Sequence, residues 1–252
     1  LPWAALIAPG VVLNKDGSFQ RTAKFRGPDL DSAVAAELVA VAGRLNNAFR
    51  RLGSGWAIFV EAQRSEAATY PDSTFPDPAS ALVDAERRAD FEQAGSHFIS
   101  DYFLTLLWLP PAAEAARAES WLYEGRETSG VNPFELLHGF IDRSDRVLAL
   151  LDGFMPECAW LDDPETLTYL HSTISTNRQR VRMPELPMHL DALLADQPLT
   201  GGLEPRLGEQ HLRVLTITGF PTATTPGILD DLNRIAFPYR WSTRAILIDK
   251  TD

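Results

Sequence analysis

The chain has 252 residues, 45% hydrophobic and 23% charged, so it can bury a sizeable core, or two modest ones, and is too apolar to remain disordered. Its 23 lysines and arginines face 34 aspartates and glutamates, a net charge of -11, which excludes a general polyanion binder because affinity for nucleic acid comes largely from neutralising phosphates. No apolar run approaches the ~20 residues that cross a bilayer, no signal peptide is expected, and a single cysteine, Cys158, excludes an internal disulfide framework and suits a reducing compartment.

In chain order, residues 11–13 and 19–25 are β-type runs on either side of Asn14-Lys15-Asp16-Gly17, a polar, glycine-ending turn that predicts a hairpin. Val34, Leu38, Val41, Leu45, Phe49 and Leu52 then recur at helical spacing and predict one buried helix face, stopped by Gly53-Ser54-Gly55. Residues 56–62 set Trp56, Ile58 and Val60 against Ala57, Phe59 and Glu61, the alternation of a strand with an apolar inner face. A proline-rich loop over 70–78 leads to a charged helix near 79–98, and residues 102–109 are so uniformly apolar that they predict a central strand covered on both faces.

The middle third reads as helical. Asn132, Pro133 and Glu135 form a helix start that satisfies unpaired amides, followed by the stripe Phe134, Leu137, Ile141, Leu148 and Leu151. Asp163-Pro164 starts another helix, running to about residue 176. The end of the chain reads as a strand over 211–218, a helix capped at Thr225-Pro226 with Leu229, Leu232 and Ile235 inside, and a strand over 241–248, which together make a β-α-β unit. The fold expected is therefore α+β: two small mixed sheet units, ferredoxin-like or related, joined by a helical middle. It divides into an N-terminal subdomain at 1–110, a helical middle and linker at 111–188, and a C-terminal subdomain at 189–252.

No catalytic grouping emerges from the residue pattern. A phosphate-binding loop needs G-x-x-x-x-G-K-[ST], whose backbone amides and lysine wrap the phosphates while a hydroxyl holds magnesium, and the chain contains no Gly-Lys pair. Asp162, Asp163 and Glu165 cluster with His171 nearby, yet acids at a helix start are where the helix dipole favours negative charge, so no metal is assigned. His97, His138, His189 and His211 are scattered without ligand spacing. Cys158, with no partner pattern beside it, reads as a small buried side chain rather than a nucleophile. Glu61 and Arg64 could serve acid–base chemistry but read more simply as a solvated ion pair.

Two surface features stand out. Trp3, Leu6 and Ile7 lie in a short apolar segment that either completes the domain's own sheet or docks a partner. Arg178, Arg180 and Arg182 alternate in NRQRVRMPELP; in an extended segment they share a face, either as a solvated connector or as a contact for an acidic partner or anionic lipid headgroups.

The wording of several segments is more particular than these patterns. APGVVLNKDGSFQRT, FRGPDL and LNNAFRRLGSGWAIFVEAQR, with YPDSTFPDP, LLDGFMPEC and ADQPLTGGLEPRLGEQHLRVLTITGFP further on, resemble the N-terminal region of the CagE/TrbE/VirB family of conjugation ATPases, its TrbE branch above all. In that family the ATPase domain follows the region matched here. The resemblance thus implies a non-catalytic N-terminal assembly and docking domain, with ATP and magnesium expected only in the absent C-terminal domain. It implies contacts with a small inner-membrane transfer subunit of the TrbD type, with other type IV secretion components and with other copies of the same ATPase, at the cytoplasmic face of the inner membrane. Peripheral membrane contact is compatible with it, and direct nucleic-acid binding is not expected. Two rival readings are a nucleic-acid-binding module using the arginine run and Trp241, and a small enzyme with an unrecognised cleft.

Overall fold

The computed structural model describes residues 1–29, 32–67, 69–93, 95–111, 133–186, 188–219, 221–225 and 228–248. Three strands open the fold: β1 (Trp3–Ala8), β2 (Val11–Asn14) and β3 (Phe19–Arg26). The expected hairpin joins the last two. Gly17 has φ 81°, a conformation that costs glycine little, and Asp16 accepts a hydrogen bond from the Ser18 amide at 3.0 Å to close the turn. Then come α1 (Ala35–Phe49), β4 (Trp56–Glu66), α2 (Pro78–Gln93), β5 (Phe98–Trp108), α3 (Pro133–Asp152), β6 (Glu157–Trp160), α4 (Asp163–Ile174) and the short α5 (Leu190–Leu194).

The main sheet has the order β1-β2-β3-β5-β4, is antiparallel throughout, and gains one further strand at its β4 edge. On its other side β3 is shared end to end: residues 19–21 pair with β2, and residues 23–26 with β6. As its apolar run predicts, β5 sits in the middle with a cover on each face. Because side chains alternate along a strand, Leu104, Leu106 and Trp108 join Val11, Leu13, Phe19, Trp56 and Ile58 on one face, against α1 and α3. Phe103 and Val12 point to the other face, against Leu161, Leu167, Tyr169, Leu170, Leu190 and Leu194 from α4, α5 and their flanks. The first core centres on four stacked rings, with Trp56 5.5 Å from Phe140 and 6.0 Å from Trp108, and Phe19 5.7 Å from Phe140. Burial of each such side chain contributes about 1.5–3 kcal/mol.

The α+β class stands, but the C-terminal region is arranged differently from the β-α-β unit expected. A small second sheet is formed by β7 (Leu199–Thr200), β8 (Arg206–Leu207) and β9 (Gln210–His211). The predicted strand over 211–218 keeps only His211 in a ladder, and the predicted helix is a 3-10 turn, Asp230–Arg234. The predicted strand over 241–248 is β10 (Tyr239–Ile246), which pairs with β4 from Tyr239↔Arg64 to Ile246↔Ala57. Eleven residues of β4 offer a row of backbone donors and acceptors that β5 satisfies on one edge only, so the other edge takes up β10. Local pattern gave the strand but not its partner.

Two helix faces also differ. Only the C-terminal turns of α1 pack, through Leu45, Ala48 and Phe49, while Val34 is 61% exposed. In α3 the stripe is carried by Leu136, Leu137, Phe140, Val147 and Leu151, with Phe134 outside it. Asn132, Pro226 and the side chain of Pro133 lie outside the described residues.

A candidate binding cleft

On the second face of the sheet, between the strands and α4, lies a cleft of about 670 Å³, within the usual range for ligand sites. Its floor is polar and aromatic: Lys24 from β3, Asp101 and Phe103 from β5, and Gln63 and Ser65 from β4. These side chains share one face because the register sets Phe103 opposite Lys24 and Gln63 opposite Asp101. One wall is α4, through Asp162, Pro164, Glu165, Thr168, Tyr169 and Ser172. The other is the arm that follows it, Asn177, Arg178, Gln179 and Arg180.

The arm is tied down at both ends. Gln197 accepts from the Thr176 amide at 2.9 Å, Asn177 donates to Asp196 at 2.9 Å, and the Val181 amide donates to Thr168 Oγ1 at 3.0 Å. Asp196 also accepts from Ser175 at 3.1 Å and lies 3.0 Å from Nε2 of His171, which is 2% exposed. Burial pushes the Asp196 carboxyl up, but the hydrogen bonds from Asn177, His171 and Ser175 outweigh it and hold the group below the usual range. This network fixes the end of α4 and the start of the arm in one piece.

Beneath the cleft is a buried charge pair. Glu61 is 8% exposed, and Arg240 of β10 places Nε 2.8 Å from its Oε1. Arg240 also donates to the Ser172 carbonyl at 3.1 Å and to Ser172 Oγ at 2.9 Å, so one guanidinium joins β4, β10 and α4. Burial raises the Glu61 carboxyl, with Arg240 opposing. Tyr169 is pushed up to about 12, first by burial and then by the Glu61 charge. Its hydroxyl stays protonated at neutral pH, so the site offers hydrogen bonds and fixed charge rather than an activated nucleophile.

The arginine run is divided by this geometry. Arg178 and Arg180 line the cleft and Arg182 does not; the segment is not a strand, and the three share no sheet face. Burial lowers the Arg178 guanidinium, the like charge of Arg240 lowers it further, and Asp101 opposes both. Asp162 and Glu165 form the helix cap: Asp162 accepts from the Glu165 amide at 2.8 Å and Glu165 from the Asp162 amide at 3.1 Å. Asp163 instead accepts from the Gly10 amide at 2.6 Å, so the cap is one residue earlier than the sequence suggests.

Glu61 and Arg64 do not form the ion pair expected. They stand three positions apart on a strand and project to opposite faces; Arg64 donates to the Ile235 carbonyl at 3.1 Å and lies over the Phe98 ring. Val60, expected inside, is half-exposed. Of the apolar N-terminal residues, Trp3 is 7% exposed and packs with Leu6 in the core beneath α4 and α5, while Ile7 is half-buried on the other face. His97 stacks on Phe91 at 4.0 Å, His211 lies 3.2 Å from Glu204, and His138 and His189 are exposed. Burial, then the charge of Asp152, pushes the Cys158 thiol up to about 11. Trp241 donates to Thr243 at 3.0 Å. Sequence reasoning missed Gln63, Tyr169 and Arg240; the one local signal was a glutamate in the middle of an otherwise apolar strand.

Comparison with known proteins places these elements in a family. Residues 10–116 match the family described as type IV secretion system ATPase VirB4/TrbE, N-terminal domain, a span that holds the floor of the cleft but neither α4 nor the arm. The chain is 34% identical to conjugal transfer protein TrbE of Rhizobium radiobacter, over 99% of this chain and 32% of that protein. In Sinorhizobium fredii (strain NBRC 101917 / NGR234) the probable conjugal transfer protein TrbE is split between two polypeptides. The chain is 40% identical to the first of them, over 50% of this chain and 87% of that polypeptide. It is 36% identical to the second, over 34% of this chain and 13% of that polypeptide. The chain thus spans about a third of the Rhizobium radiobacter protein.

Proposed function

Because the chain belongs to the type IV secretion ATPase VirB4/TrbE N-terminal domain family, we propose that it is the non-catalytic assembly and docking domain of a conjugative secretion ATPase. The observation that carries this reading is a likeness to a conjugal transfer protein over 99% of the chain together with the lack of any Gly-Lys pair for a phosphate loop. ATP and magnesium then act in polypeptide beyond these residues. This domain positions the motor at the cytoplasmic face of the inner membrane for pilus assembly and for DNA and protein transfer.

Its partners in this reading are a small inner-membrane subunit of the TrbD type, other secretion components and further copies of the ATPase. The outer edge of β1 supports docking there, since β1 pairs only with β2 and Leu6 and Ile7 are half-buried along it; an unpaired strand edge is a template for another chain. Among the described residues no helix is long and apolar enough to cross a membrane, which favours attachment from the side or through a partner.

The test is an affinity pull-down with this chain as bait from detergent-solubilised envelopes of cells carrying the transfer system. Recovery of a small inner-membrane transfer subunit, lost in L6D and I7D variants that keep the wild-type melting temperature, is the expected result. Saturable ATP turnover by the purified chain, or recovery of no transfer component, would count against it.

A further inference from the structure

We propose that the cleft bounded by Gln63, Phe103, Tyr169, Arg178 and Arg180 binds a short extended peptide bearing a carboxylate, an acidic segment of a partner protein. The proposal relies on the assembly reading for the partner being a protein; the cleft chemistry stands on its own.

Gln63 is the first argument. It is 7% exposed, lines the cleft, and its carboxamide makes no hydrogen bond among the described residues. Buried polar side chains nearly always have partners, and a carboxamide, with donors and an acceptor together, complements a peptide group. The floor around it is held ready: Lys24 Nζ lies 2.7 Å from Asp101, and the Phe103 and Tyr169 rings are 4.7 Å apart, a seat for an apolar side chain.

Charge is the second. Lys24 is matched by Asp101 and Arg240 by Glu61, whereas Arg178 and Arg180 have no ion pair or side-chain hydrogen bond among the described residues. Arg178 also faces the charge of Arg240. In a chain of net charge -11, two uncommitted guanidiniums on one wall leave a local positive excess that a carboxylate satisfies through paired hydrogen bonds. Across from them stand Glu66, Asp162 and Glu165. Those acids repel a continuous polyanion, so a peptide with a local acid fits and a nucleic-acid strand does not. The tethered arm means little ordering is needed on binding.

The experiment pans a phage-displayed library of random short peptides against the immobilised chain, then measures labelled winners by fluorescence anisotropy. Enriched peptides carry aspartate or glutamate, and their affinity falls about tenfold or more in R178E/R180E and severalfold in Q63L, as for loss of central interface contacts, with melting temperatures unchanged. No enrichment, winners without acids, undiminished binding to R178E/R180E, or displacement by millimolar phosphate or a single-stranded oligonucleotide as effective as by peptide would each overturn the proposal. Acidic winners alongside a pull-down that recovers no transfer component would uphold the cleft and sink the assembly reading. The reverse pair of results would separate them the other way.

Discussion

Removing Arg240 tests whether the charge pair beneath the cleft holds the last strand to the sheet. In R240M the aliphatic stem is kept while the guanidinium, 2.8 Å from Glu61 and bonded twice to Ser172, is lost. Breaking a buried pair by deleting one partner costs about 3–5 kcal/mol, because the other charge is left uncompensated. The Arg240 side chain is 25% exposed and that of Glu61 10%, which puts the expected loss at the lower end, about 3 kcal/mol at neutral pH.

The pH dependence gives a sharper signature. Burial already raises the Glu61 carboxyl and Arg240 opposes the rise, so R240M raises it further. A group raised in the folded state favours folding while protonated, and that contribution is lost as pH climbs through the folded value. The R240M penalty is therefore small on the acid side, where Glu61 is neutral, and grows toward neutral pH. Urea unfolding at several pH values measures it, and E61Q in the R240M background recovers about 2 kcal/mol at neutral pH by removing the stranded charge. A penalty under about 1 kcal/mol, flat with pH and unrelieved by E61Q, would refute the reasoning.

Three further outcomes follow from local geometry. Gly55 has φ 85°, and an added Cβ would lie 2.6 Å from the Leu109 carbonyl oxygen, so G55A loses about 1–3 kcal/mol by chemical denaturation; an unchanged midpoint would show that the turn yields. Asp196 is held below the usual carboxylate range in the folded state, so its contribution is present above the unfolded value and disappears as pH falls through the folded one. D196N should thus be less stable than wild type at neutral pH by about 1–3 kcal/mol and converge with it in acid, which thermal melts across pH would show. Cys158 is buried with its thiol pushed up to about 11, so iodoacetamide at mildly alkaline pH modifies it far more slowly in the folded chain than in urea, as mass spectrometry of the alkylated protein will report.

What the sequence carried clearly was local. The period of two in residues 102–109 and 56–62, the turn glycine at Gly17 and the helix start at Asp163-Pro164 each depend on neighbours a few positions away, and each produced its element. The cleft depends on distances along the chain that no period encodes. Arg240 reaches Glu61 because β10 settles on the open edge of β4 with Arg240 opposite Gln63, leaving Glu61 as its diagonal neighbour on the same face. The Glu61–Arg64 pairing was avoidable from sequence alone, since an odd separation on a strand sends two side chains to opposite faces. The arginine run illustrates the opposite limit. Its alternation suggested one face for Arg178, Arg180 and Arg182, yet the arm is shaped by Gln197, Asp196 and Thr168, whose bonds bring two of the three to the cleft. Anchors outside the segment decided which arginines meet Gln63, so the binding surface follows from how β10 and the arm are fastened rather than from the composition of either.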